Sequence, residues 1–513
     1  MAGVLGREPA DLIGGRWTAL PGDAITSINP ARPREVLWRG TPRPEHVDQA
    51  VAAAREAHVE WARWAREKRF AALRHYAELC RARQAEIASL IADETGKVLW
   101  DAAGEAAALP AKVDITLDES EHGAVRRVTG FDIPLAATRI GRTWFRPHGV
   151  MAVIAPYNFP AHLANGHIVP ALAMGNTVVL KPSDKTPAVG QLLAELLEEA
   201  LGHAGAPTGT VNLVQGGADV ATRLTTHTDI DGILFTGSWP VGRKILEANL
   251  DYPGRIIALE MGGNNAAVVM PDCDLRQAVI ECARSAFVTT GQRCTCTRRI
   301  IVHRAIADRF IAALCKVASN LIIGDPKAEH PVFMGPIISD AARQGVLDAQ
   351  GAFARAGGEA LVESTAVDMT GGGFYISPGV MRVERFTAAA EEGAGCDREV
   401  FGPLVRVSVT DSLDDAIAQA NASCFGLAAS IFTRDRSAAE RFCDEARAGC
   451  VNVNAGTAGA SSKLPFGGLG RSGNHRPAGS FSLDYCAYPV AGMIEAGEEA
   501  AVPRGMRVQE EWL

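Results

Sequence analysis

The sequence predicts an α/β protein of two lobes, each on a parallel-type sheet, with a small β-hairpin arm for pairing with another subunit. Three observations predict it. From residue 149, short apolar runs rich in β-branched residues ("GVMAVIAP", "NTVVLKPS", "TVNLVQGG", "DGILFTGS", "RIIALEMGG") alternate with helical stretches such as "VGQLLAELLEEAL". That is the texture of βαβ units whose strands are buried on both faces. A second series of the same kind runs from "NNAAVVM" to about residue 450 and includes "DLRQAVIECARSAFVTT", read as one helix running directly into "GQRC". The weakly alternating segments 126–147 and 482–493 belong to neither series and suit a hairpin that covers an exposed sheet edge.

Ahead of the first series, residues 45–93 read as long amphipathic helices. Val47, Ala50, Val51 and Ala54 share one face, and Leu73, Tyr76, Ala77, Leu79 and Cys80 continue the spacing. With 513 residues, 47% of them hydrophobic, the chain can bury more than one core. A net charge of -8 and the lack of any long Lys/Arg run argue against nucleic acid or an anionic membrane as partner. The start "MAGVLGREPADLIGG" has no basic segment followed by an apolar one, and no apolar run approaches the roughly 18 residues of a membrane span. Eleven cysteines without framework spacing suit reduced thiols, so a cytoplasmic location is expected. The last residues, "EEAAVPRGMRVQEEWL", read as a polar tail.

Neither of the common phosphate-cradling glycine motifs follows a strand here. Instead "FTGSWPVG" puts Gly237 and Ser238 at a strand end and Gly242 at the opening of the next helix. A helix N-terminus there could meet a pyrophosphate, though a plain strand-to-helix turn reads the same way. "KPSDKTP" puts Lys181, Ser183 and Asp184 at another strand end, where an ammonium and a carboxylate could bind ribose hydroxyls. In "GQRCTCTRR", residues 291–299, the CxC spacing lacks the gap of a redox CxxC pair, and no second pair stands nearby to complete a zinc site. No metal is expected. The remaining reading is a nucleophilic thiol, which acts only as its thiolate. Arg293, Arg298 and Arg299 could assist its ionisation or could face water. Asn158 in "PYNFP", Glu260 in "LEMGGNN" and Glu399 in "EVFGP" sit at turn-rich strand ends. Each could be structural alone.

Taken in order, "LIGGRW", "PYNFP", "GNTVVLKPSDKTP", "FTGS", "LEMGGNN", "GQRCTC", "EVFGP" and "PFGGLGRSG" resemble the aldehyde dehydrogenase superfamily over nearly the whole chain. The resemblance implies that Cys294 is the nucleophile and Cys296 a bystander. It assigns Asn158 to the oxyanion, Glu260 to the general base, and Glu399, with Phe401 alongside, to cofactor positioning. Lys181, Ser183 and Asp184 then serve the adenosine ribose, and Gly237, Ser238 and Gly242 the pyrophosphate. A hydrolytic base at Glu260 argues against a CoA-acylating member. Family members that use NAD often carry Glu where this chain has Asp184, one methylene shorter. The retained charge would repel a 2′-phosphate, so NAD is expected over NADP. The implied division is residues 1–125 with 148–258 as the dinucleotide-binding domain, 259–450 as the catalytic domain, and 126–147 with 480–497 as an arm joining a homodimer or homotetramer.

Within that superfamily, "APYNFPAHLANGHIVPAL", "SAFVTTGQRCTCTRR" and "GNHRPAGSFSLDYCAYP" resemble in detail a bacterial group that oxidises succinylglutamate semialdehyde in arginine catabolism. A dicarboxylate semialdehyde asks for a polar, roomy tunnel. His162, Asn165, Gly166 and His167 stand where large hydrophobics would line the site for an apolar aldehyde, although histidines near a helix start read as helix caps equally well. The loop "TAGASSKLPFGG" offers backbone N–H groups at Gly459 and Ala460 for a carboxylate, with the Thr295 hydroxyl after the nucleophile and His475 or Arg476 as further contacts. Glutamate semialdehyde or another ω-semialdehyde is the alternative substrate. From other classes, a non-catalytic relative would not need Asn158, Glu260, Cys294 and Glu399 together, and a cysteine hydrolase would need a histidine beside the thiol.

Overall fold

The five apolar runs of the first series form the strands Val150–Ile154, Thr177–Lys181, Val211–Leu213, Gly232–Gly237 and Ile256–Met261 of a computed structural model that describes residues 7–389, 392–497 and 502–513. They pair in parallel, in the spatial order Ile256–Met261, Gly232–Gly237, Val150–Ile154, Thr177–Lys181, Val211–Leu213. Both faces are covered, which is why the runs are continuously apolar. Met151, Val153 and Leu180 pack with the helices Arg66–Ala82, Leu99–Thr116, His162–Met174 and Pro187–His203. Val150, Ala152 and Val179 pack on the other side with His46–Trp61 and Ala218–Thr225.

An N-terminal hairpin extends this sheet. Ala10–Ile13 and Arg16–Ala19 turn through Gly14 and Gly15, both at positive φ (56° and 77°), and the first of the two strands joins Val211–Leu213 antiparallel. "LIGGRW" is therefore a two-residue hairpin turn. The second series forms a sheet in the order Glu359–Val362, Gly379–Arg382, Leu404–Thr410, Thr297–His303, Asn265–Val269, Ala428–Phe432, Cys450–Val453. Every pair in it is parallel except the first. The two α/β lobes with parallel-type sheets are thus present.

The expected hairpin is a three-stranded antiparallel unit of Phe131–Pro134, Arg139–Pro147 and Ala487–Glu495. Phe131, Ile133 and Met493 on it are exposed. Part of the segment read as a polar tail, 498–501, lies outside the described residues, as do residues 1–6 of the N-terminal stretch; residues 502–513 are exposed. Among the described residues, no helix is long and apolar enough to cross a membrane.

One expected helix ends early. Asp274 caps Leu275–Phe287 by accepting from Gln277 N, but the helix does not run into "GQRC". Thr289 and Thr290 adopt left-handed φ of 55° and 53°, a costly conformation for β-branched residues. Tertiary bonds hold it: Thr289 Oγ1 donates to Asp101 Oδ2 (2.5 Å) and Thr290 Oγ1 to the Gly335 carbonyl (2.8 Å). The chain therefore reverses just before the cysteine loop.

Candidate active site

The loop after this reversal is fixed by backbone capture. Asn265, from the second sheet's strand Asn265–Val269, donates through Nδ2 to the carbonyls of both Cys294 and Cys296 (2.8 Å each). Gln292 Oε1 accepts from Ile338 N (3.1 Å). The arginines read as possible helpers of the thiol have other work. Arg298 and Arg299 are buried and do not face water. Arg298 donates to the carbonyls of Gly402, Gly291 and Arg293, and Arg299 to those of Asn264, Gln419 and Ala420. Arg293 pairs with Asp101 Oδ1 (2.6 Å) and donates to Thr289 Oγ1 (2.7 Å). Their charges are taken up in structural bonds, most of them to segments distant in the chain, which the sequence does not reveal.

Cys296 is fully buried, whereas Cys294 opens onto a cleft. Burial, and then the Glu260 and Glu399 carboxylates, push the Cys294 thiol up to about 12. Glu260 is at the end of Ile256–Met261, is 5% exposed and lines the same cleft. Its Oε2 is buried without a hydrogen-bond partner, and burial raises its carboxyl well above the usual range. Asn158, four residues beyond Val150–Ile154, donates through Nδ2 to the Gln292 carbonyl (3.0 Å), which ties the first lobe to the cysteine loop. Its second amide hydrogen is left for another acceptor. Glu399 Oε1 accepts from Gly263 N (3.0 Å), and a side chain on Gly262 would run into Glu399. Burial raises the Glu399 carboxyl, opposed by the Arg298 charge. Phe401 packs edge-on against Tyr157 (6.2 Å) beneath Arg298 (5.6 Å).

His162, Thr295 and Ala460 line the cleft as expected, while Gly459, His475 and Arg476 are exposed and are not among its lining residues. The structure also places His167, Thr236 and Lys112 there. His167 bonds both ring nitrogens, to Tyr485 Oη (3.2 Å) and Thr236 Oγ1 (3.0 Å). Burial first, and then nearby lysine charges, lower His162 to about 4 and His167 to about 3. Imidazoles of such low basicity are poor acceptors for a thiol proton, which counts against a Cys–His hydrolase.

The residues read for the adenosine ribose and the pyrophosphate share the carboxyl edge of the first sheet, where open α/β sheets bind ligands. Lys181 Nζ is buried and donates to the carbonyls of Gly216 (2.8 Å) and Pro182, with its pKa lowered to about 8 by burial. Ser183 donates from its hydroxyl to the exposed Asp184 carboxylate (3.4 Å). Ser238 is the N-cap of Trp239–Ala248, and its exposed hydroxyl accepts from no backbone N–H. Gly242 packs so closely on Met261 that any side chain would meet the Met261 sulfur.

Residues 17–489 match the aldehyde dehydrogenase family. The chain is 42% identical over 483 residues to the N-succinylglutamate 5-semialdehyde dehydrogenase of Chromobacterium violaceum, covering 94% of this chain and 96% of that one. Its fold superposes on an indole-3-acetaldehyde dehydrogenase complexed with NAD+ at TM-score 0.87, 28% identity, and 95% and 97% coverage of the two chains. It also superposes on a glyceraldehyde-3-phosphate dehydrogenase from Methanocaldococcus jannaschii complexed with NADP, at TM-score 0.83, 27% identity, and 93% and 100% coverage. With its two sheets and its cysteine loop, the chain belongs to the aldehyde dehydrogenase family.

Proposed function

We propose that this protein oxidises N-succinyl-L-glutamate 5-semialdehyde to N-succinyl-L-glutamate with NAD, in the cytoplasm, as a step of arginine catabolism. The observation that carries the chemistry is the pairing of Cys294 with Glu260, whose unpartnered Oε2 is buried, in one cleft. The choice of substrate rests on the 42%-identical relative.

Cys294 Sγ, once deprotonated, adds to the aldehyde carbon. The oxyanion that forms is held by the free Asn158 amide hydrogen and the Cys294 backbone N–H. When bound, the nicotinamide dinucleotide supplies the hydride acceptor. Lys181, Ser183 and Asp184 fit an adenosine ribose, Ser238 and the helix start behind it fit a pyrophosphate, and Glu399 with Phe401 orients the nicotinamide half. The thioester left on Cys294 is hydrolysed by a water whose proton passes to Glu260 Oε2, a carboxylate whose raised pKa suits it to that task. Residues 1–125 with 148–258 act as the dinucleotide-binding domain and 259–450 as the catalytic domain, the first sheet's strand Ile256–Met261 straddling that boundary. The arm joins two or four subunits.

The test is NADH formation from N-succinylglutamate semialdehyde, glutamate semialdehyde and propanal, by wild type and Cys294→Ala. We expect kcat/KM for the succinylated aldehyde to exceed the other two by roughly 100-fold, with all activity lost in the variant. Equal use of the three removes the substrate, and activity surviving in the variant removes the mechanism. Asp184→Ser should raise kcat/KM with NADP relative to NAD by about tenfold, through loss of like-charge repulsion; an unchanged ratio places coenzyme choice elsewhere.

A further inference from the structure

We propose that Lys112 is the cation that recognises a carboxylate on the tail of the aldehyde, an inference that rests on reading the substrate as an anionic semialdehyde oxidised at Cys294. Lys112 projects from Leu99–Thr116 into the cleft that holds Cys294 and Glu260, and it is 2% exposed. Its ammonium donates to two neutral acceptors, the Gly479 carbonyl (2.5 Å) and Ser482 Oγ (2.7 Å), and has a third hydrogen to give. Among the described residues it makes no ion pair; burial lowers its pKa to about 8, so at neutral pH it stays mostly protonated, a desolvated charge without a counter-ion at a cavity wall.

The contrast with Lys97 is direct. That lysine is equally buried but pairs with Glu105 at 2.5 Å, closing the charge within the protein. A buried ammonium without a counter-charge is costly, and two neutral acceptors could be served by a neutral donor. What a lysine adds at this wall is charge toward the cavity.

The surroundings suit an anion on a flexible carbon chain. Phe159, Leu163 and Phe466 give the cleft apolar wall. Gly166 faces open space, where any side chain would narrow the passage. The Nδ1 of His162, in the same wall, is buried without a partner, and its neutral ring has a proton to place there. Lys112 and His162 thus put an ammonium and an imidazole on the wall of one low-dielectric pocket, where a charge-assisted bond is strong.

The test compares wild type with Lys112→Met, which keeps the stem and removes the charge, on N-succinylglutamate semialdehyde, succinate semialdehyde and pentanal. The ratio of kcat/KM for the preferred anionic aldehyde over pentanal should fall by roughly 30-fold, carried by KM. A ratio within about threefold of wild type means that Lys112 only braces the turn at Gly479–Ser482, and the proposal is overturned. If wild type prefers succinate semialdehyde and the variant loses that preference, Lys112 keeps its role and the succinylated substrate is wrong. If wild type prefers no anionic aldehyde, both readings fall. Should Lys112→Met not fold, Leu163→Glu leaves both bonds of Lys112 in place and sets a competing carboxylate in the cleft. It should lower the same ratio by about tenfold, and an unchanged ratio overturns the proposal.

Discussion

Cys294 is held as a thiol. Its pKa, pushed up to about 12 by burial and then by two carboxylates, means that the thiolate is scarce at neutral pH in the ligand-free protein. For an acid with a raised pKa, the reactive fraction grows with every step of pH until the pKa is reached. Alkylation of Cys294 by iodoacetamide in cofactor-free protein should therefore accelerate about tenfold per pH unit between roughly pH 7 and 10. A plateau below about pH 8 in that profile would show a thiolate already present at rest. The buried Cys296 should stay unlabelled, and because the exposed Cys424 and Cys443 also react, the readout is the alkylated fraction of the peptide that carries Cys294.

Elements deliver these residues by two devices. One is strain held from a distance: the left-handed Thr289 and Thr290 reverse the chain, and hydrogen bonds to Asp101 and Gly335 keep them so. The other is close packing of Trp239–Ala248 on Ile256–Met261, where any side chain at 242 has to displace the Met261 sulfur. That contact sets both Ser238 at the helix start and Glu260 at the strand end. Gly242→Val should push the helix off the strand, at a stability cost of about 1–3 kcal/mol. It should raise KM for NAD by roughly tenfold, more than it lowers kcat. Thermal melting and coenzyme titration check this together, and an unchanged KM would detach the helix start from coenzyme binding.

At the scale of the molecule, the cleft takes its walls from both lobes. Glu260 and Thr236 come from the first sheet, and Cys294 and Thr295 from the loop that leads into Thr297–His303 of the second. The arm stands apart from both. Phe131 and Ile133 lie on its outer strand, and Met493, 75% exposed, lies on the strand Ala487–Glu495. Apolar side chains on an open edge invite pairing with another copy. Ile133→Asp with Met493→Asp should convert a dimer or tetramer into a single-chain species in sedimentation velocity. A wild type that already sediments as one chain would end the subunit-joining role.

By itself the sequence determined the two parallel-type sheets, because strands buried on both faces must be continuous apolar runs and such runs are readable locally. It also offered Cys294, Glu260, Asn158 and Glu399 as candidates, through ordered motifs that resemble one family, and the structure puts the first two on the wall of one cleft. The N-terminal hairpin was not read from the sequence, since strands as short as Ala10–Ile13 carry little pattern. Tertiary structure decided the rest. It ended the helix at Phe287, set Arg298 and Arg299 to bind carbonyls and Arg293 to pair with Asp101, and left Gly459, His475 and Arg476 off the cleft wall. It also brought Lys112 to Gly479, 367 residues away in the chain, and His167 to Tyr485, 318 away. Such contacts depend on how two lobes pack and not on local propensity. Lys112, near the end of the helix Leu99–Thr116, therefore looks like any other lysine until the fold shows that it lacks a counter-charge.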